Sequence, residues 1–262
     1  MAEPTAAAAP PLACRALSLA VPGRVLFRGL DFAVNAGECW VIVGPNGAGK
    51  TTLLNALAGL AEPAAGSVEY GGVPLASLPP RERARRRGYM PQDNVDYFPA
   101  TVRETVLVGR HPHLARWAWE GAPDLERAER ALADVGLAGL GSRQVASLSG
   151  GERRRVALAT LFAQDPELLL LDEPSSHLDL AHQIDALDAV VRLARDGRKA
   201  VVMVLHDLHL ALRYADRAIA LGRDGAVAGD ADAILTAERL SALFGHRLLA
   251  LGEGRRRSFI PA

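Results

Sequence analysis

The chain has 262 residues, with 30 Lys and Arg against 30 Asp and Glu, and 49% of its residues are apolar. That is a globular composition with room for one large domain or a core carrying a lobe, and it excludes a disordered or collagen-like chain. Zero net charge excludes a general pull toward nucleic acid or anionic lipid, while leaving room for a local basic patch.

The opening MAEPTAAAAPPLAC has Glu3 where an export signal needs a basic start, and its apolar part is Ala and Pro, so residues 1–14 read as a flexible leader. Leu17–Val34 alternates and contains Pro-Gly-Arg, the pattern of an antiparallel hairpin. Glu38–Gly44 (ECWVIVG) is a short apolar run ending in a glycine loop, and Leu53–Leu60 follows with helical spacing that stops at Gly59. Residues 101–147 show helical patterns and no strong strand run, with Thr101 and Glu104 in capping-box spacing at their start. They read as a helical lobe, about residues 97–150, inserted into the core. Glu167–Pro174 and Lys199–Asp207 are continuous apolar runs, suited to strands buried on both faces of a parallel sheet. Leu180–Asp196 between them has helical periodicity, which completes a βαβ unit. Arg217–Gly229 reads as a hairpin turning at Asp224–Gly225, AERLSALFGH as a short helix ended by Gly245, and residues 251–262 as a basic tail, leaving one domain over 15–250. No run of about 18 apolar residues occurs, so no bilayer-spanning helix is expected. The two cysteines, Cys14 and Cys39, make no CxxC pair and no disulfide framework, which fits a reducing compartment.

Gly44-Pro45-Asn46-Gly47-Ala48-Gly49-Lys50-Thr51 fits G-x-x-x-x-G-K-S/T, set between an apolar strand and a helix as that pattern requires. Glycines let main-chain N–H groups turn inward around phosphate oxygens, and the helix beginning near Lys50 adds its positive end. Lys50 offers a point charge to β and γ phosphates; with Lys199 it is one of only two lysines in an arginine-rich chain. The Thr51 hydroxyl suits Mg2+, a hard cation that prefers oxygen and keeps several waters. Asp172 closes a buried strand at the edge where ligands of open α/β sheets gather, so it can hold Mg2+ through water. Glu173 is next, and neighbours at a strand end point to opposite sides, so its task differs: polarising the attacking water. His206 ends the next buried strand and opens on the same edge, within reach of a γ-phosphate. Gln92, in YMPQD after a short strand, is an uncharged side chain that could reach Mg2+ and the water. Ser149-Gly150-Gly151-Glu152 is a capping box with two glycines inside, readable as a plain helix start or as a second anion grip.

Taken in order, GPNGAGKTT, Gln92, LSGGE, LLLLDEP, SSHLD at Ser175–Asp179, and His206 resemble the ATP-binding subunits of ABC transporters over about residues 15–250. The resemblance implies an α/β fold: a P-loop NTPase core with a mainly parallel sheet, an antiparallel β subdomain near the N-terminus and an inserted α-helical lobe. It implies ATP and Mg2+ as cofactors and hydrolysis of ATP to ADP and phosphate. It also implies a second copy of the chain as partner, met head to tail, with each ATP held by Gly44–Thr52 of one copy and Ser149–Glu152 of the other. Ser175, Ser176, His177, Leu178 and Asp179 would then lie at the dimer contact. GRHPHL (Gly109–Leu114) and SSHLDL resemble the importer subunits for iron–siderophore, haem and cobalamin. That implies a peripheral place on the cytoplasmic face of the inner membrane. It also implies polytopic permease subunits docked in the groove between core and lobe, with Asp93–Phe98 among the contacts. A periplasmic or extracellular substrate-binding protein would act indirectly, and no nucleic acid would take part.

Many members of that family place an aromatic residue before the glycine loop, to stack on adenine. The matching place here is Val21, which implies weak discrimination between ATP and GTP unless Phe27 stacks instead. Arg85–Arg87, Arg153–Arg155 and Arg255–Arg257 read as solvated faces, the middle triplet being placed to add positive potential toward the phosphates. Trp117 and Trp119 read as packing inside the lobe, and His111 and His113, with Pro112 between them and no third ligand, as no metal site. A superfamily ATPase acting on nucleic acid or ribosomes would show coiled-coil insertions or tandem cassettes, and a regulator without turnover would not need both Glu173 and His206.

Overall fold

The structure, a computed structural model, describes residues 9–92, 99–176, 178–223, 225–252 and 254–262. Strands β1 (Leu12–Val21) and β2 (Arg24–Val34) form the antiparallel hairpin that their alternation predicts. Strand β3 (Cys39–Val43) is buried at every position and runs through the glycine loop into α1 (Lys50–Leu57). Strands β4 (Ala65–Tyr70) and β5 (Val73–Pro74) complete a four-stranded antiparallel sheet of order β2-β1-β4-β5. Helix α2 (Pro80–Arg86), with Pro at its first position, feeds directly into β6 (Arg87–Met90). Helices α3 (Val102–Leu107) and α4 (Ala122–Asp134) form the lobe, and α5 (Gly150–Gln164) packs on both. The first lobe helix starts with the expected capping box: Glu104 N–H donates to Thr101 Oγ1 at 3.3 Å, and Thr101 N–H donates to Glu104 Oε2 at 2.7 Å.

The second half alternates strand and helix: β7 (Leu168–Asp172), α6 (Leu180–Asp196), β8 (Ala200–Val204), α7 (Leu208–Tyr214), β9 (Arg217–Gly222), then β10 (Gly225–Asp230). These strands join β3 and β6 in a sheet of order β10-β9-β3-β8-β7-β6, parallel except for the edge strand β10. Both faces are covered, and the strand period sorts the side chains. Val41 and Val43, Leu169 and Leu171, and Val201 and Met203 pack into one core with the helices. Trp40 and Ile42, Leu168 and Leu170, and Val202 and Val204 pack into the other, with α1 and the antiparallel sheet. Each such side chain contributes about 1.5–3 kcal/mol on full burial, which is why continuous apolar runs hold this sheet. Register then sets the working edge. Val204 lies level with Ile42 on one side and with Asp172 on the other, so the glycine loop, Glu173 and His206 all leave the sheet at one end.

The end of the chain departs from the expectations. Helix α8 (Ala231–Ile234) and helix α9 (Ala237–Phe244) follow β10, and α9 stops at Gly245 as expected, at φ 70°. Residues 251–262 are no free tail: β11 (Leu248–Leu251) pairs with β12 (Ser258–Pro261), and Phe259 is buried. Arg255 pairs with Asp216 at 3.3 Å, and Arg257 pairs with Asp232 at 3.0 Å and donates to Leu235 O, so these arginines fasten the hairpin to the core. At the other end β1 already holds Leu12, Ala13 and Cys14 in the core, so these three are not part of the leader expected over 1–14. Trp117 and Trp119 do not pack in the lobe: they are 87% and 89% exposed, because the loop before α4 carries them outward. His111 and His113 point apart, to Glu120 at 3.5 Å and to Gln164 O at 2.8 Å.

Candidate functional site

The glycine loop is shaped by contacts only glycine allows. Gly44 has φ 154°, and a Cβ there would stand 2.2 Å from Leu221 O, so the loop leaves β3 pressed against the end of β9. Gly49, at φ 99°, caps α1, and a Cβ would meet the Leu26 side chain at 2.6 Å. Lys50 folds back along the loop, its Nζ donating to Gly44 O at 2.9 Å and Pro45 O at 3.1 Å. Burial pushes its ammonium below the usual lysine range, while the charges of Glu173 and Asp172 pull it back up.

Asp172 is fully buried at the end of β7. Burial raises its carboxyl above the usual aspartate range and the charge of Glu173 adds to that, whereas Thr51, Arg154 and Lys50 pull it down. Thr51 approaches without completing a hydrogen bond, and neither Asp172 oxygen has a hydrogen-bond partner among the described residues. A buried carboxylate with both oxygens orphaned beside a threonine hydroxyl fits a hard cation. Glu173 then turns the chain at φ 50°, a left-handed conformation that costs a non-glycine residue about 1–3 kcal/mol. That turn, rather than strand alternation, sends its side chain away from Asp172 and into an open cleft. There Glu173 Oε1 meets His206 Nε2 at 2.5 Å. The cleft measures about 620 Å³ and gathers Asn46, Gly47, Gly49, Lys50, Thr51 and Thr52 with Gln92, Glu173 and His206, and with Val21, Arg24 and Leu26 at one wall. Phe27 is buried in the antiparallel sheet's core and lines none of it.

The second glycine pair lies elsewhere. Ser149 opens α5 with its capping box: Glu152 N–H donates to Ser149 Oγ at 3.2 Å, and Ser149 N–H donates to Glu152 Oε2 at 2.8 Å. Ser149 and Gly150 are exposed, line none of the cleft, and a Cβ on Gly150 would meet nothing within 4 Å. Ser175 and Leu178 are buried, Ser176 N–H donates to Glu173 O at 3.1 Å, and Asp179 caps α6 by accepting from His182 N–H at 2.9 Å. His177 and Asp93–Phe98 lie outside the described residues.

The expectation for the Arg153–Arg155 triplet, a solvated face adding potential toward the phosphates, fails at Arg154. It does not point toward solvent or phosphate; it is buried, and Nη1 donates to Pro91 O at 2.9 Å and Gln92 O at 2.8 Å. Its Nη2 donates to Asp172 O at 2.5 Å and Glu173 O at 2.6 Å. The helix that begins at Gly150 is thereby tied to the main chain carrying Gln92 and both acids. A further groove of about 550 Å³ separates α2 and β6 from α3 and α5, lined by Met90, Pro91, Val108, Pro112, Arg153 and Ala157 among others.

A family model described as ABC transporter matches residues 27–176. The hemin import ATP-binding protein HmuV of Nocardia farcinica is 47% identical over 252 residues, covering 93% of this chain and 86% of that protein. The chain belongs to the ABC transporter family. This ABC chain is also 41% identical to the cobalamin import ATP-binding protein BtuD of Halobacterium salinarum over 234 residues, covering 88% of this chain and 58% of that protein. A solved ABC transporter described as metal-chelate type, in an inward-facing conformation, shares the fold with a TM-score of 0.83 and 30% identity, covering 96% of this chain and 97% of that one. The fold is the P-loop NTPase core expected from the motifs, and as an ABC transporter ATPase the chain binds and hydrolyses ATP. Among the described residues no helix is long and apolar enough to cross a membrane.

Proposed function

We propose that this ABC ATPase powers an importer of the iron–siderophore, haem and cobalamin class, with hemin the first candidate. It does so from the cytoplasmic face of the inner membrane, as a pair of identical chains closing around two ATP molecules. The observation that carries this reading is a divided site: the cleft holds the glycine loop, Gln92, Glu173 and His206, while Ser149 and Gly150 face solvent outside it. The names of its relatives support the import role and the substrate class.

The triphosphate sits on the inward N–H groups of Gly44–Thr52, and Lys50 swings from the Gly44 and Pro45 carbonyls onto the β and γ oxygens. Thr51, Asp172 and Gln92 would hold Mg2+, which neutralises charge on those phosphates. Glu173 accepts a proton from the attacking water, and His206 fixes its carboxylate through the 2.5 Å contact and faces the γ-phosphate. Ser149 can serve the opposite chain's ATP while its oxygen keeps accepting from Glu152 N–H, its O–H turning from the Glu152 carboxylate to a phosphate oxygen. Ser175–Asp179 lie at the contact between copies. Permease subunits dock in the groove between core and lobe, a substrate-binding protein acts through them, and nucleic acid has no part.

Affinity purification of the tagged chain from membranes of its own cells tests this. A polytopic permease should co-purify, and ATPase activity should rise with a hemin-loaded binding protein. Co-purification of ribosomes or nucleic acid without a permease would instead mark a non-transport ATPase.

A further inference from the structure

We propose that the loop bearing Trp117 and Trp119 is a lipid contact, which seats the helical lobe on anionic headgroups of the bilayer beside the permease. The two rings are 87% and 89% exposed, while the next most exposed large apolar side chain among the described residues, Leu180, reaches 69%. An indole joins a wide apolar ring to one N–H donor, a shape that suits the boundary between headgroups and acyl chains.

The charge around the rings matches that surface. Arg116 stands 5.8 Å from the centre of the Trp117 ring, and Arg81 and Arg85 on α2 both donate through Nε to Pro112 O, at 3.1 and 2.7 Å. All three arginines are exposed. Neighbouring carboxylates face other partners: Glu82 pairs with Arg86 and Asp124 with Arg110, while Glu120 lies 3.5 Å from His111 and sets one negative charge against the three arginines. Among the described residues no carboxylate pairs with Arg81, Arg85 or Arg116. In a chain of zero net charge these form a local positive excess: Arg116 adjoins Trp117, and Arg81 and Arg85 hold the start of the same loop at Pro112, a pairing of cations and aromatic rings that suits a membrane surface. Placement adds to this. Pro112, which the two α2 arginines hold, also lines the groove between core and lobe. The inference rests on the importer reading in one respect: that groove faces the membrane because the permease docks there.

Vesicle flotation with the full chain tests the proposal, read alongside tryptophan emission. Trp40 is buried in the core, so a change in emission reports the two loop rings. The chain should float with phosphatidylcholine vesicles containing about one-third phosphatidylglycerol, shift its emission to the blue, and release as salt screens the arginines. It should not float with phosphatidylcholine alone. The Trp117→Ser/Trp119→Ser variant should lower the bound fraction at least about fivefold with the soluble ATPase rate unchanged, and the paired Phe variant should keep most of the binding. Absence of flotation with anionic vesicles, or equal flotation of the Ser variant, overturns the proposal. A blue shift seen only with permease in lipid-free detergent overturns it too, marking a protein contact. ATP-driven pairing of a Glu173→Gln chain is scored separately: pairing without vesicle binding sinks the lipid contact and leaves the motor standing.

Discussion

Gly150 shows how little a single residue's neighbours within its own chain need explain it. A Cβ there meets nothing within 4 Å, so this chain alone tolerates alanine. The proposed requirement comes from a phosphate of the opposite copy's ATP. Gly150→Ala should therefore keep or slightly raise the thermal midpoint of the parent, since Ala is favoured over Gly in a helix by up to about 0.8–1.0 kcal/mol. ATPase activity should nonetheless fall at least about tenfold, about 1.4 kcal/mol at the barrier. Parent-level turnover would remove Gly150 from the site. Val21 allows a second test at this scale. It lines the cleft where an aromatic stack would sit, and Phe27 is buried away from it. Losing a base stack forgoes about 1–3 kcal/mol of sequence-tolerant binding. GTP should thus be hydrolysed with kcat/KM within about tenfold of ATP; a hundredfold preference for ATP would show that another group reads the base, and Arg24 lines the same cleft.

Among the elements, α5 joins the two halves of the proposed mechanism. Its first turn presents Ser149 outward, and one turn later Arg154 reaches inward to the carbonyls of Pro91, Gln92, Asp172 and Glu173. Hydrogen bonds to a charged group are worth about 1.5–3 kcal/mol each, and buried carbonyls left without a donor are costly. Arg154→Met should lower the thermal midpoint and cut kcat at least about tenfold, with KM for ATP changed less than about twofold, because the phosphate loop is untouched. Arg154→Lys should recover part of kcat. A Met variant with parental kcat would make Arg154 a packing residue only. The sequence showed it only as part of a basic triplet and gave no sign of this role, since its partners are main-chain oxygens, which carry no residue signature. The strands behind it were legible for the opposite reason: β3, β7 and β8 are buried on both faces, so their residues read as unbroken apolar runs. The capping boxes at Thr101 and Ser149 were legible too, because that interaction is local by construction.

Across the whole molecule, the segments misread are those whose fate is set by distant partners. An arginine-rich end reads as a tail until Asp216 and Asp232, far back in the chain, pair with Arg255 and Arg257. Two tryptophans read as packing until the loop is seen to carry them outward. The proposed divided site is the same lesson at its largest scale: the chain does not bring Ser149 to its own cleft, and in the proposed reading a second copy supplies that half of the pocket. Sedimentation of the Glu173→Gln chain with and without Mg-ATP tests this most directly. A shift from monomer to dimer on adding Mg-ATP, reversed on its removal, is expected, with hydrolysis slowed at least about a hundredfold, about 2.7 kcal/mol at the barrier. A variant that stays monomeric with Mg-ATP, and whose two copies stay apart when assembled with the permease, would contradict the account.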